Sequence, residues 1–320
     1  MYIFSNQAEV HEPLYDTTIS LYPWEYELLQ TRPVRRLKFL SHYGTGSFVT
    51  SVKHSRYEHT IGVWTLIATF FPKDEELRIA ALLHDIGHLP FSHAVEKTLG
   101  FNHHHITEEK IRSEEVTSIL VKHHFLPERI IDLLNQDTPL SHKTPYICAD
   151  HLDSFLRDAY MLGKKGIHPS EVIRTMSFNQ QYVDADYHTS KHIMLMIYHD
   201  HTSFLSPKLL ALDALLAKAI SEYARDQFID IQQLTNNELI QVLVSSENVR
   251  VKEIMNIILW EPERIKIHHE QVDNAEKVEV RKVYDKTPLV DGVPLISICS
   301  ESKHLLQSIR ALQKDYYISY

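Results

Sequence analysis

Between residues 77 and 93 the chain reads LRIAALLHDIGHLPFSH, a near-continuous apolar run that nevertheless carries His84, Asp85, His88 and His93. A core does not welcome a carboxylate unless its charge is compensated. Either neighbouring groups satisfy these side chains, or they bind something. Histidine is the commonest metal ligand and the commonest general acid–base group. The chain has 22 histidines, and eight of them (His54, His59, His84, His88, His93, His103, His104 and His105) fall between residues 54 and 105. Clustering alone does not separate ligands and catalysts from ordinary core and surface imidazoles.

A divalent ion needs about four to six N or O ligands, with one or two positions left for water and substrate. His59 and the pair His84–Asp85 lie on two segments that read as central helices. Adjacent helical residues point about 100° apart, so His84 and Asp85 share an ion only if it lies between their directions. Asp150 would complete the set from another helix. Its segment has an apolar stripe at Leu152, Phe155, Leu156 and Ala159, and Asp150 lies off that stripe with Ser154, Arg157 and Asp158. Taken alone, that segment makes Asp150 part of a solvated face, whereas the helix around His84–Asp85 offers no wet face. Mixed His and Asp ligands suit Fe, Mn, Zn, Co or Ni better than calcium. Such a set leaves a dication partly positive, able to polarise a phosphoryl oxygen and acidify water.

The elements that must position these groups read mostly as helices. At 320 residues, 43% hydrophobic and 23% charged, the chain has an ordinary globular composition and can bury a substantial core. Only 8 glycines leave few places for tight turns. Helices are expected at 24–42 (broken at Pro33), at 55–71 (stopped by Pro72) and at 75–88, with Asp74 as N-cap. Pro90 fits the first turn of another, carrying Phe91, His93 and Glu96. Further helices are expected at 106–124, 127–135 and 146–162, the last closed by Gly163, then at 192–227, 235–260 and 302–316. Strands are expected at 178–186, in KVEVRKVY and in LVDGVPLISI. The fold class is therefore mainly α, with a helical core over 1–205 and a smaller α+β C-terminal lobe over 206–320.

A net charge of −9 gives no general reason to expect a phosphate-backbone partner, so nucleic acid is a poor candidate. Cys148 and Cys299 make neither a disulfide framework nor a thiolate zinc site and read as small buried hydrophobes. The stretch MYIFSNQAEVHEP lacks a basic region followed by an apolar one, and runs such as LIATFF fall far short of the ~18 apolar residues of a membrane span. A cytoplasmic protein without a membrane partner is the expectation.

Four motifs in order, RYEHTIG (56–62), LLHDIGHLPFSH (82–93), HHHIT (103–107) and ADHLDSFLRDAYMLG (149–163), closely resemble the HD-domain phosphohydrolases. Within them the chain looks most like the deoxynucleoside triphosphate triphosphohydrolase branch, in register over residues 30–165 and loosely beyond. The resemblance implies an all-α HD core with a divalent transition metal (Fe, Mn, Ni or Zn, with Mg accompanying the substrate as an option) held by His59, His84, Asp85 and Asp150. It implies phosphate chemistry assisted by His88, His93, Glu96 and His103, a small-molecule nucleotide substrate, and a homo-oligomer, dimer or higher. Glu96, one turn from His93, would orient that imidazole and raise its basicity. His103 would join the relay, with His104 and His105 as bystanders. Arg56 matches a phosphate-contacting arginine, although its planar fork suits a structural ion pair equally well.

On the substrate side the resemblance points to Arg56, His42, His151, Ser154, Asp158 and Tyr198, and here the chain departs from its branch. His151 replaces a lysine after the last ligand, Ser154 a phosphate-touching tyrosine, and His42 a glutamine near the sugar. Alignment of 187–201 retains Tyr198 but puts Ser190 and His201 where basic phosphate contacts belong. Arg and Lys offset the charge of a triphosphate, so their loss weakens that substrate and leaves the metal site untouched. The resulting expectation is hydrolysis of a nucleotide phosphate ester or anhydride, with a (deoxy)nucleoside triphosphate favoured. Water would attack phosphorus, while His93, supported by Glu96 and His103, would protonate the leaving oxygen. A phosphomonoesterase or phosphodiesterase acting on another nucleotide or small phosphate ester is the alternative enzyme. A low-turnover metal- and nucleotide-binding regulatory module is the alternative class, and it has no need of an acid–base relay.

Overall fold

The computed structural model describes residues 8–94, 96–280 and 282–320. Residues 1–7, part of the stretch read above for a leader, lie outside the described residues. The chain opens with a hairpin of β1 (Glu9–Glu12) and β2 (Thr17–Ser20), then α1 (Pro23–Gln30) and a short helix at Arg32–Arg36. The break between these helices falls at Thr31, whose backbone is extended, and not at Pro33, which sits in the first turn of the second helix, where its missing N–H is harmless.

Helix α2 (Arg56–Phe70) begins with a reciprocal cap in which Ser55 accepts from the Glu58 amide and the Glu58 carboxylate accepts from the Ser55 amide. It is buried on nearly every side, as its apolar composition requires. After Pro72, Asp74 caps α3 (Glu75–Leu83) by accepting from Leu77 N–H at 3.0 Å. Glu25 on α1 ties the three helices together. Arg78 donates to both its oxygens (2.8 and 2.7 Å), and Trp64 Nε1 donates to one of them, so this buried charge is paired.

The apolar pattern carries a helix through residue 88, but α3 ends at Leu83. Residues 84–87 turn because Thr107, on α4 (His103–Ile111), substitutes for the helical ladder. Its hydroxyl accepts from Gly87 N–H (3.1 Å) and donates to the His84 carbonyl (3.3 Å). A Cβ on Gly87 would overlap the His103 carbonyl and Thr107, so only glycine permits this approach.

Pro90 likewise does not open a helix. Phe91 and Ser92 take left-handed backbone angles (φ 59° and 55°), a 3-10 turn covers Ser92–Ala94, and a single helical turn follows at Glu96–Leu99. His93 and Glu96 therefore do not share a helix. The Phe91 backbone is pinned by its N–H donating to Asn236 Oδ1 at 3.0 Å.

The expected 106–124 helix is two, α4 and α5 (Glu114–Lys122), and α6 (Pro127–Asn135) and α7 (Ala149–Met161) follow, with Gly163 (φ 72°) just past the end of α7. A hairpin of β3 (Met176–Asn179) and β4 (Tyr182–Ala185) replaces the single strand. The long helical stretches are each divided, into α8 (Tyr187–Phe204) and α9 (Pro207–Asp226), then α10 (Asn236–Val244) and α11 (Val249–Trp260). Strands β5 (Lys266–His268) and β6 (Glu276–Glu279) precede the hairpin of β7 (Leu289–Val290) and β8 (Val293–Pro294), which extends the earlier sheet to the order β3-β4-β7-β8. The last helix, α12 (Ser300–Arg310), is shorter than 302–316 implies, because the chain then forms β9 (Asp315–Ser319) between β5 and β6.

The architecture is mainly α, as read from the sequence. Among the described residues two apolar cores result. One gathers α1–α3, α7 and α8 with Leu295, Leu306 and Ile309; the other gathers α9–α11 with Leu89, Phe91 and Ile106. The chain passes from the first core to the second between Ile86 and Leu89, beside the unusual polar residues of the opening stretch. No described helix is long and apolar enough to cross a membrane.

Candidate metal centre and active site

His59 comes from α2, and His84 and Asp85 from the turn that follows α3. Asp150 comes from the first turn of α7, which packs against α2. His59 Nδ1 donates to Asp153 Oδ2 (2.8 Å) and His84 Nδ1 donates to the Ala81 carbonyl (2.8 Å). Those partners hold the proton on each Nδ1 and leave both Nε2 atoms to take a cation or a second proton. The two Nε2 atoms face each other at 3.4 Å, and His59 Nε2 lies 3.2 Å from Asp150 Oδ1 and 3.8 Å from Asp85 Oδ2. His84 Nε2 lies 3.5 Å from Asp85 Oδ1 and 4.0 Å from Asp150 Oδ1. Acceptors crowded together in this way repel unless a cation or a proton sits among them, and the donor set fits a divalent transition ion.

The electrostatics agree. Burial opposes a charge on His59, but Asp150 and Asp153 outweigh it and push its pKa up to about 10. Burial would raise Asp85, yet His88, His84 and Arg56 hold it well below the carboxylate range, and Asp150 is likewise held low, by His59.

Asp153 is the residue the sequence reading missed. It is fully buried and engages His59 Nδ1, Tyr15 Oη (2.7 Å) and Arg157, whose Nε and Nη2 reach its two oxygens at 2.9 Å each; Arg157 also pairs with Glu12 at 2.9 Å. Gly62, one turn after His59, makes room for this pair, since a Cβ there would overlap Asp153 and Arg157. The available signal was the spacing of Asp150 and Asp153, three residues apart and hence on one side of a helix. The solvated-face reading of α7 is overturned. Asp153, Arg157 and Asp158 are all buried, and Asp150 retains 27% side-chain exposure.

A second group adjoins the first. His88 Nε2 lies 3.2 Å from Asp85 Oδ1, its ring stacks on His103 at 4.1 Å, and Glu96 stands among three imidazoles. Glu96 carboxylate oxygens are 2.9 Å from His103 Nδ1, 3.4 Å from His93 Nδ1 and 3.7 Å from His88 Nδ1. Burial works against the Glu96 charge, but His103 and His93 keep its pKa low. The expected juxtaposition of His93 and Glu96 is thus present on a 3-10 turn and a following helical turn. The His93 side chain is 57% exposed. The His104 ring is tilted against that of His103, with centroids 4.1 Å apart.

On the remaining side, His42 Nδ1 donates to Asp158 Oδ1 (3.1 Å), and burial pushes His42 down to about 3, so it is neutral. The His42 ring lies 4.6 Å from that of His59. Arg56 is buried, donating to Asp85 Oδ2 (2.8 Å) and Ser92 Oγ (2.9 Å), which is the ion-pair use of its fork. His151 lies next to Asp150 with Nδ1 3.1 Å from Cys148 Sγ; burial lowers it to about 4, so it does not replace the charge of a lysine. Ser154 and Tyr198 are half-buried on α7 and α8, without a side-chain hydrogen bond to these groups among the described residues. Ser190 Oγ donates to the Ala185 and Leu289 carbonyls, and His201 donates to the Ile197 carbonyl and accepts from Tyr284 N–H. Both serve the packing of α8 against the C-terminal segment.

Comparison with known proteins places this geometry. The family model described as the HD domain matches residues 56–173. The uncharacterized protein YdhJ of Bacillus subtilis is 31% identical over 247 residues, covering 72% of this chain and 74% of that protein. A protein of Dictyostelium discoideum named deoxynucleoside triphosphate triphosphohydrolase SAMHD1 homolog is 27% identical over 248 residues, covering 64% of this chain and 47% of its own length. The crystal structure of a phosphohydrolase from Bacteroides thetaiotaomicron superposes with a TM-score of 0.70 at 15% identity, covering 98% of this chain and 99% of the other, and so shares the fold. The chain belongs to the HD-domain family of metal-dependent phosphohydrolases.

Proposed function

We propose that this protein hydrolyses a nucleotide phosphate, with a (deoxy)nucleoside triphosphate as substrate, at the site built around His59, His84, Asp85 and Asp150. The observation that carries the proposal is the convergence of two imidazole Nε2 atoms and two carboxylates at 3.2–4.0 Å. When bound there, a divalent transition ion supplies Lewis-acid polarisation of a phosphoryl oxygen and acidifies water. Asp153 and the Ala81 carbonyl orient the two histidines, and Arg56 holds Asp85 in place. His93, the exposed member of the second group, is positioned to deliver a proton to the oxygen that leaves phosphorus as water adds. Glu96 steadies the resulting charge distribution among His88, His93 and His103. His151, His42, Ser154, Asp158 and Tyr198 would border the rest of the substrate.

The Dictyostelium relative supports the triphosphate. One observation favours a smaller phosphate ester instead: His151 is neutral, and Ser190 and His201 are committed to packing. Incubating the protein with Mn²⁺ or Fe²⁺ and a panel of deoxynucleoside and nucleoside mono-, di- and triphosphates separates these readings. Release of inorganic triphosphate supports the first, and release of orthophosphate from a monoester supports the second. No release from any member with either metal would refute hydrolysis.

A further inference from the structure

Beside the centre described above, three side chains from three segments meet on one oxygen. His42 Nδ1 lies 3.1 Å and His54 Nε2 3.2 Å from Asp158 Oδ1. The chain holds the two imidazoles together by its backbone. Residues 41 and 55 form an isolated bridge, His42 N–H donates to the His54 carbonyl (3.1 Å) and Arg56 N–H donates to the Leu40 carbonyl (2.9 Å). The rings consequently stack at 4.8 Å, and α7 brings Asp158 against them. Asp200, on α8, adds a second carboxyl in contact with Asp158.

Packing does not account for His54. The residue is 3% exposed, both ring nitrogens are buried, and neither makes an aligned hydrogen bond. Buried polar groups are ordinarily satisfied. A buried imidazole with no aligned hydrogen bond, its Nε2 facing a carboxylate oxygen that a second imidazole also faces, has the composition of a cation site. The three candidate donor atoms lie within 4.8 Å of one another.

We propose that His42, His54 and Asp158 form a second divalent-metal site, distinct from the one at His59, His84, Asp85 and Asp150. Two imidazoles and a carboxylate suit Zn²⁺, Co²⁺, Mn²⁺ or Fe²⁺ and leave a position open. The inference stands apart from the hydrolytic reading and is tested by metal content.

The test titrates the chelator-stripped full chain with Co²⁺ to saturation, measuring bound metal per chain by elemental analysis after equilibrium dialysis, with visible absorption reporting coordination. His54→Ala and His42→Gln should each lose one equivalent relative to the unsubstituted protein and keep the remainder. His84→Ala should lose a different one, with a different absorption band. His42→Gln preserves a donor to Asp158 and decides the matter if His54→Ala fails to fold. Unchanged stoichiometry in a folded His42→Gln or His54→Ala overturns the proposal, whether or not the protein hydrolyses any nucleotide. Hydrolysis by a protein binding one equivalent would overturn it while leaving the hydrolytic reading intact.

Discussion

Gly62→Ala sets two magnitudes against each other. On an isolated helix, alanine is better than glycine by about 0.8–1.0 kcal/mol, so propensity predicts a more stable protein. In this structure the added Cβ would lie 2.7 Å from Asp153 Cγ and nearer still to one carboxylate oxygen and to Arg157 Nη2. Neither group can retreat, because Asp153 and Arg157 are buried and held by His59, Tyr15 and Glu12. Disrupting a buried ion pair costs about 3–5 kcal/mol, which exceeds the propensity gain. The expected net loss is about 2–4 kcal/mol, read from urea unfolding of chelator-treated protein. Displacing Asp153 also frees the His59 ring, and loss of such an outer partner lowers metal affinity by about 10–100-fold. Calorimetric titration with Co²⁺ measures that second effect. A variant as stable as the unsubstituted protein, or one destabilised with undiminished metal affinity, would refute the coupling of Gly62 to the site.

Asp85→Ala should abolish binding at the His59 centre, checked by metal content, since the carboxylate supplies negative charge that water cannot replace. His93→Ala should retain metal and melting temperature while turnover falls by about 10²–10⁴-fold, the range for a lost general acid–base; Glu96→Gln should cost less, because the proton carrier remains. Loss of metal from His93→Ala would contradict this, as would full activity. Burial and, secondarily, Arg36 and Arg32 depress Lys110 to about 7. An unfolded lysine titrates near ~10.4, so between these values the unfolded chain holds a proton that the folded one lacks, and stability rises with pH across that window, the penalty being complete below its lower end. Lys110→Met should therefore stabilise the protein at neutral pH by about 1–3 kcal/mol, discounted for partial exposure, with the gain vanishing near ~10.4. Urea unfolding at both pH values checks it, and a gain independent of pH would be the contrary result.

Local chemistry made much of the chain legible in its sequence. Pro72, Asp74 and Gly163 act on backbone within a few residues, and the end of α2, the start of α3 and the end of α7 fall where those residues put them. Residue type and spacing likewise singled out His84 and Asp85, because a carboxylate and an imidazole inside an apolar helix need a partner, while Asp150 joined them and His59 through the resemblance to the HD-domain family. Distant contacts decided the rest. The end of α3 depends on Thr107, twenty residues beyond Gly87, and the path of Phe91 depends on Asn236. That is why His93 and Glu96 meet from two successive short turns and not from one helix. Asp153, Gly62 and His54 acquired their importance only through the approach of α7 to α2 and of residue 41 to residue 55, while Ser190 and His201 were claimed by the C-terminal segment. Hydrophobic period reports which side of a helix is buried. It carries no information on which polar group from another segment will be waiting there, and at this site such distant partners set the charge and position of His59, Asp85 and Asp153.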